Sequence, residues 1–125
     1  MTARDGGYVP GRHKIDDYGG GGFRFADMSH KGSILALPSG VSAVPLGAAA
    51  EIDESTIDRA LSESGGLDVF VVGTGQDLLP LATALRAKLR AAGVGCETMA
   101  TGAAVRTYNM LVDEDRRVGA LLIAV

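Results

Sequence analysis

The chain has 125 residues, a length that predicts one domain with its own hydrophobic core. Hydrophobic residues make up 46% of the chain and charged residues 22%, which is typical of a soluble globular protein. The formal net charge of −3 argues against a general nucleic-acid-binding protein, because such proteins carry a basic face.

The cysteine and histidine content excludes an internal disulfide and argues against a zinc site. Cys96 is the single cysteine, so an internal disulfide is excluded, and its position in a predicted strand favours a buried small hydrophobe. The two histidines lack the Cys/His spacing of a zinc site. We therefore expect neither a metal nor a cofactor.

The apolar runs of the chain are short. The longest, residues 118–125, is far below the roughly 20 residues of a membrane-spanning helix. The first residues contain charges and glycines but no apolar run, so they do not resemble a secretory signal. We expect a cytoplasmic protein that does not insert into a membrane.

The N-terminal half predicts short antiparallel strands. Residues 1–11 contain little that could be buried and predict a flexible tail, followed by a single domain at residues 12–125. Strand-like runs separated by short turns then follow, an arrangement that makes neighbours antiparallel. The predicted strands are residues 13–18, 23–26, 33–37 and 41–46, and the predicted turns are residues 19–22, 29–32 and 38–40. The glycines at 19–22 favour a turn over a phosphate-binding loop, because a strand follows them.

The C-terminal half alternates strands with helices. Residues 67–72 are mostly apolar, with β-branched and aromatic side chains, and lead into Gly73-Thr74-Gly75. Similar runs occur at residues 94–99 and 118–125, and helical segments separate the three. This βαβαβ order predicts a parallel sheet with right-handed crossovers, and hence an α/β fold.

Three helices are predicted from spacing and capping residues. The first begins after Asp53, a good N-cap, and ends at Gly65-Gly66. The second covers residues 78–92, with Pro80 in its first turn. Its buried stripe is predicted to be Leu78, Leu81, Leu85, Leu89 and Ala92. The third covers residues 103–112 with Thr101 as its N-cap.

Polar residues follow the ends of two predicted parallel strands, where ligands collect in such sheets. Helix-start N–H groups, two hydroxyls and one guanidinium at that position would suit a small anion. The candidate ligand-binding residues are Gly73, Thr74, Gly75, Thr101, Gly102, Arg106 and Asn109. The alternative is structural: Thr101 caps a helix, the glycines permit the turn, and Arg106 pairs with an acid.

More demanding chemistries are not supported. A dinucleotide fingerprint would need Gly or Ala where Leu78 stands, and Asp77 would repel a pyrophosphate. No Gly-x-Ser-x-Gly elbow is present, and Ser39 and Ser42 have no neighbouring base. We therefore assign no catalytic residue, and an enzyme is the less favoured class.

Several segments resemble one family. They include Val72-Gly73-Thr74-Gly75, Thr101-Gly102-Ala103-Ala104 and Arg106-Thr107-Tyr108-Asn109. Together with the surrounding residues they resemble the Mth nine-three-eight-like domain family over most of residues 22–125. Asp115 departs from the family pattern, which usually has a glycine there, and the tryptophan often found near Val44 is missing.

The resemblance implies a three-layer β/β/α fold, in which the parallel sheet packs with the N-terminal antiparallel sheet. It implies no established reaction, and the best-understood relatives act as assembly or accessory factors through protein contacts. We therefore expect a non-enzymatic module that binds an unidentified protein partner. The rival hypothesis is an enzyme or sensor that binds a small anionic metabolite at the strand ends. Apolar edge strands of the N-terminal half could also pair between chains and give a homo-oligomer.

Overall fold

The computed structural model describes residues 7–125. Within this range the strands are β1 (Tyr8–Pro10), β2 (Asp17–Gly19), β3 (Gly22–Phe25), β4 (Met28–Lys31), β5 (Ser33–Leu37), β6 (Gly40–Val44), β7 (Val69–Gly73), β8 (Gly95–Met99) and β9 (Val118–Leu122). The α-helices are α1 (Glu54–Leu61), α2 (Thr83–Ala91) and α3 (Thr101–Asp113), and a 3-10 helix covers Ala49–Glu51.

A six-stranded mixed sheet forms the centre of the fold, with the strand order β1-β6-β5-β9-β7-β8. β7 pairs in parallel with both β8 and β9, which confirms the predicted parallel unit. β5 pairs antiparallel with β9 and with β6. The remaining strands, β2, β3 and β4, form a separate antiparallel sheet, which we call the small sheet.

The central sheet separates two apolar cores. Neighbouring residues of β5 point to opposite faces, so Ile34 and Leu35 belong to different cores. On the face of Leu35, the sheet is covered by α1 and α2. On the face of Ile34, it is covered by α3 and by Phe23 and Phe25 of the small sheet. The three-layer fold is therefore confirmed.

The N-terminal strands divide between the two sheets, whereas the sequence predicted that they would form one small antiparallel sheet, as a meander or folded over. All of Ser33–Leu37 is buried, and such a run needs cover on both faces, which an interior strand of the central sheet receives. The predicted turn at residues 29–32 was also wrong, because Met28–Lys31 forms a strand opposite Gly22–Phe25. Ala26 and Asp27 reverse the chain earlier, both with positive φ (52° and 60°).

One predicted turn and one predicted helix start are confirmed. Gly20 and Gly21 have φ values of 60° and 82° between the paired strands β2 and β3, so the glycine run is a hairpin turn. Asp53 caps α1, because its carboxylate accepts a hydrogen bond from the Thr56 N–H (3.1 Å).

Cys96 is half-buried against the core beside α2, and burial raises the pKa of its thiol.

Helix α2 is shorter than predicted, because it begins at Thr83 and not at Leu78. A residue that precedes proline is disfavoured in the helical conformation, so Pro80 keeps Leu79 out of the helix. As a result Leu81, Leu85 and Leu89 are buried as predicted, whereas Leu78 is 63% exposed. Ala92, also predicted to be buried, is exposed at the end of the helix.

The predicted flexible tail lies partly outside the described residues, which begin at Gly7. Tyr8–Pro10 forms β1, an edge strand of the central sheet, with Val9 opposite Val41 of β6. Hydrogen bonds of this strand hold it against the domain.

Candidate functional site

The two loops that carry the predicted site meet at the carboxyl ends of β7 and β9. The Gly75 N–H donates to Thr101 Oγ1 (2.9 Å), and the Thr101 N–H donates in return to the Gly75 carbonyl (2.8 Å). The Thr101 hydroxyl itself donates to the Ile123 carbonyl (2.7 Å). The expectation that these two loops, distant in sequence, lie together at one edge of the sheet is confirmed. We call this edge the Thr101 rim.

The sequence predicted that Thr101 is the N-cap of α3. In the structure Thr101 is instead the first residue of the helix. The N-cap position belongs to Ala100, whose backbone is extended and whose side chain makes no capping bond. Thr101 is fully buried, and its hydroxyl joins α3 to the loop after β7 and to the end of β9. The hydroxyl is therefore engaged as both donor and acceptor inside the protein.

Thr74 has a similar role one loop earlier. Its hydroxyl lies 2.6 Å from the Asp77 carbonyl, to which it donates, and accepts from the Leu79 N–H (3.0 Å). The Thr74 N–H donates to the Met99 carbonyl at the end of β8 (2.9 Å). These bonds fix the shape of the exposed segment that follows, residues 76–80.

Two glycines of the predicted site permit close packing. A Cβ on Gly73 would lie 3.0 Å from Ala104 and from the Thr101 backbone, so Gly73 lets α3 approach β7. A Cβ on Gly102 would lie 2.5 Å from the Tyr18 hydroxyl. Contacts within the fold thus explain why both positions are glycine.

The polar face of α3 holds a segment of the same chain. The Asn109 side chain accepts from the Ile15 N–H and donates to the Ile15 carbonyl, both at 2.8 Å. The Tyr108 hydroxyl donates to the His13 carbonyl (2.8 Å), and Lys14 forms an ion pair with Asp113 (2.9 Å). Burial raises the pKa of Tyr108 to about 12. This contact also explains why the predicted strand at 13–18 is reduced to Asp17–Gly19.

Arg106 differs from the other predicted site residues. Its side chain is exposed, and it forms no hydrogen bond or ion pair with a side chain in residues 7–125. The acidic partner that the structural alternative assigned to it is not found in this range. The structure thus brings Gly73, Thr74, Gly75, Thr101 and Gly102 together and places Arg106 and Asn109 further along α3. Their role in binding a ligand stays a prediction.

Sequence reasoning missed two features of the surface. Leu78 and Leu79 are 63% and 46% exposed, although the sequence placed Leu78 on a buried stripe. The signal that could have revealed this was Pro80, which limits the preceding residue. Two grooves of about 600 and 610 Å³ lie beside the small sheet and not at the Thr101 rim. Their walls come from three strands and a turn, so no local motif marked them.

The comparisons with known proteins identify the family. A family model described as a protein of unknown function (DUF498/DUF598) matches residues 15–123. The chain belongs to this family. An uncharacterised protein of Rhodobacter capsulatus is 38% identical over 123 residues, which are 98% of this chain and 93% of that protein.

Solved structures support the same assignment. A Bartonella henselae protein, described as an outer membrane protein, is 50% identical with a TM-score of 0.88, over 93% of this chain and 98% of its own. A Bordetella pertussis protein described as a Mth938-like domain is 29% identical with a TM-score of 0.78, over 89% and 85% of the two chains. The predicted resemblance to Mth938-like domains is confirmed. Among residues 7–125, the helices are all too short or too polar to cross a membrane.

Proposed function

We propose that this family member is a non-enzymatic protein-binding module, an accessory or assembly factor, whose partner contacts the loop at residues 76–80. The observation that carries the proposal is the exposure of two neighbouring leucines, Leu78 and Leu79, on that loop. Large apolar side chains grouped on a surface are typical of protein-binding sites.

The loop is ordered before any partner binds. Thr74 holds it by donating to the Asp77 carbonyl and accepting from the Leu79 N–H. Pro80 restricts it further, and Leu81 anchors its end in the core with 4% of its surface exposed. Because the loop is already ordered, little of its conformational entropy would be lost when a partner binds, which favours affinity.

Burial of the two leucines would supply much of the binding energy. Burying a leucine side chain fully stabilises a complex by about 1.5–3 kcal/mol. In the isolated chain, more than half of Leu78 and nearly half of Leu79 remain in water, so much of this gain is still available. The resemblance to accessory factors that act through protein contacts is consistent with this mode of action.

The rival hypothesis, a small anionic metabolite at the strand ends, has less support. The Thr101 hydroxyl is buried and already bonded to the Ile123 carbonyl and the Gly75 N–H. The Thr74 hydroxyl is likewise bonded on both sides. An anion would have to break these internal bonds before it could accept from the same groups.

The test is a double substitution, Leu78→Ser with Leu79→Ser, in the full chain expressed at native level in its source cell. Crosslinking and quantitative affinity purification would identify a partner of the wild-type protein, and its Kd would then be measured with purified components. We expect the double variant to weaken that Kd by about tenfold or more, because roughly 1.4 kcal/mol corresponds to one factor of ten.

Met110→Ser is the matched control, because Met110 is 53% exposed on α3 and lies outside the loop. We expect it to leave the Kd unchanged, and both variants to keep the wild-type melting temperature. The proposal would be contradicted by a double variant that binds as tightly as the wild type, or by a wild-type protein that captures no specific partner.

A further inference from the structure

The two outer strands of the central sheet are β1 and β8. All five residues of β7 are buried, whereas none of the five residues of its neighbour β8 is buried. Among residues 7–125, no strand covers the outer side of β8. The free side of such a strand presents backbone N–H and C=O groups that can pair with another chain.

The outward backbone groups of β8 belong to Cys96 and Thr98. The Gly95 N–H donates to the Asp68 carbonyl just before β7 (3.0 Å), so Gly95 directs its backbone groups inwards. Because these groups alternate in direction along a strand, the N–H and C=O of Cys96 and Thr98 point to the open side. Each of the two residues thus offers one donor and one acceptor to an incoming strand.

The opposite edge of the sheet is less open to such pairing. The Gly11 N–H donates to the Ser39 carbonyl (2.8 Å), so the preceding residue, Pro10 of β1, points away from β6. Proline has no N–H to donate, and the Pro10 carbonyl already accepts from His13 Nε2 (2.9 Å). β8 is therefore the more open edge of the central sheet.

Glu97 disfavours a second copy of the chain as the occupant of this edge. Two copies of β8 related by a two-fold axis would pair all their outward groups when Cys96 of one strand lies opposite Thr98 of the other. In that register Glu97 lies opposite Glu97 of the other copy, where Cα atoms are about 4.5 Å apart. Like charges that stand directly opposite each other destabilise the pairing.

The same carboxylate favours a basic residue in a partner strand. Glu97 is exposed, and among residues 7–125 no cation, Arg106 included, lies within ion-pair distance of it. Glu97 stands beside Val71, whose side chain belongs to the core under α3, so it lies on the α3 face of the sheet. Burial raises the pKa of the Cys96 thiol and Arg86 opposes this rise, which places Arg86 near the other face. A lysine or arginine opposite Glu97 would share its face and pair with its carboxylate.

We infer that β8 accepts an extended segment of a partner protein as an antiparallel strand, with a lysine or arginine opposite Glu97. Hydrogen bonds between the two backbones supply affinity, and the basic residue supplies specificity. The antiparallel orientation is the more stable one per residue. The inference goes beyond the proposed function, because it depends on the backbone of β8 and not on Leu78 or Leu79. Either can therefore fail without the other.

The test is an NMR titration of the full-length, ¹⁵N-labelled chain with a peptide blocked at both ends, Thr-Val-Thr-Lys-Thr-Val-Thr. We expect saturable shifts of the Cys96 and Thr98 amide signals. Hydrogen exchange at both amides should slow, since each N–H gains an acceptor. The same peptide with glutamate at its centre should bind about threefold or more weakly, because it sets two like charges opposite each other.

N-methylated peptides test the backbone pairing. In the antiparallel register, the two threonines that flank the central lysine direct their N–H groups to Cys96 and Thr98, and the lysine N–H points away. Methylation of both threonine nitrogens should weaken binding by about tenfold or more, the effect of two lost hydrogen bonds. Methylation of the lysine nitrogen is the matched control and should leave the affinity unchanged.

Glu97→Lys should reverse the preference, so that the glutamate peptide binds more tightly than the lysine peptide. Glu114→Lys makes the same charge change at an exposed position after α3 and should keep the wild-type preference. The inference would be overturned by a wild-type chain that shows no saturable shifts at Cys96 and Thr98, or that binds both peptides equally. A wild-type dimer that pairs through β8, or equal effects of the two N-methylations, would also overturn it.

Discussion

The carboxyl ends of the parallel strands and the outer side of the small sheet use their polar groups differently. At the strand ends, the hydroxyls of Thr74 and Thr101 both donate and accept hydrogen bonds within the protein. In the groove of the small sheet, Arg24 and Lys31 donate only to neutral oxygens. Polar residues at a position typical of ligand sites can therefore serve the fold, while two cations elsewhere on the surface form no ion pair within residues 7–125.

The first of these regions also contains two exposed leucines. Leu78 and Leu79 are exposed on a loop that the Thr74 hydroxyl holds by hydrogen bonds to the Asp77 carbonyl and the Leu79 N–H. Under the proposed function, these polar groups would contribute to partner binding indirectly, by holding an apolar surface in place. Three substitutions can test this division between structural and available groups, in order of decreasing effect.

Thr101→Val should have the largest effect on stability. Valine keeps the shape of threonine but removes the hydroxyl, which leaves the Ile123 carbonyl and the Gly75 N–H without their partner. Each buried group left unpaired costs about 1–3 kcal/mol, so the free energy of unfolding should fall by about 2 kcal/mol or more. Urea denaturation measures this change. Thr101→Ser keeps the hydroxyl and should recover most of the loss, and equal losses in both variants would argue against the hydrogen bonds.

Asn109→Ala should have an intermediate effect, because it removes both bonds to Ile15. We expect the free energy of unfolding to fall by about 1–2 kcal/mol. Amide hydrogen exchange at Ile15 should accelerate, since its N–H would lose its acceptor. Arg106→Ala, three residues earlier on α3, is the control and should change stability by less than about 0.5 kcal/mol. Equal effects of the two substitutions would contradict the assigned role of the Asn109 hydrogen bonds to Ile15.

Tyr108→Phe should have the smallest effect at neutral pH, about 1 kcal/mol, from the lost bond to the His13 carbonyl. Its pH dependence is more informative. The pKa of Tyr108 is about 12 in the folded chain, against about 10 when unfolded. Above about pH 10 the unfolded chain loses this proton and the folded chain keeps it, so stability contributed by Tyr108 falls between about pH 10 and 12. The free energy of unfolding, measured by urea denaturation at several pH values in that range, should fall more steeply with pH for the wild type than for Tyr108→Phe. The same pH dependence in both proteins would contradict the burial of the Tyr108 hydroxyl.

The parts of this fold that follow local rules were predictable. Asp53 identified the start of α1, and the alternation after Leu67 identified the parallel unit, because capping and βαβ order depend on neighbouring residues. The meeting of the Gly75 and Thr101 loops followed from the same rule, since parallel strands end at one edge.

The contacts that assign roles to these residues were not predictable. Asn109 bonds to Ile15, 94 residues away, and Thr101 bonds to the Ile123 carbonyl, 22 residues away. Helical spacing showed that Asn109 lies on a polar face but not what covers that face. The division of the N-terminal strands between two sheets also depends on tertiary pairing with β9, which no local pattern encodes.

The central claim is that the Thr101 hydroxyl is bound within the fold and not open to a ligand. Amide hydrogen exchange at Gly75 tests it most directly, because the Gly75 N–H donates to that hydroxyl and the neighbouring Gln76 is exposed. We predict that Gly75 exchanges far more slowly than Gln76 in the wild type and loses this protection in Thr101→Val. A Gly75 amide that exchanges as fast as Gln76 in the wild-type protein would contradict the claim.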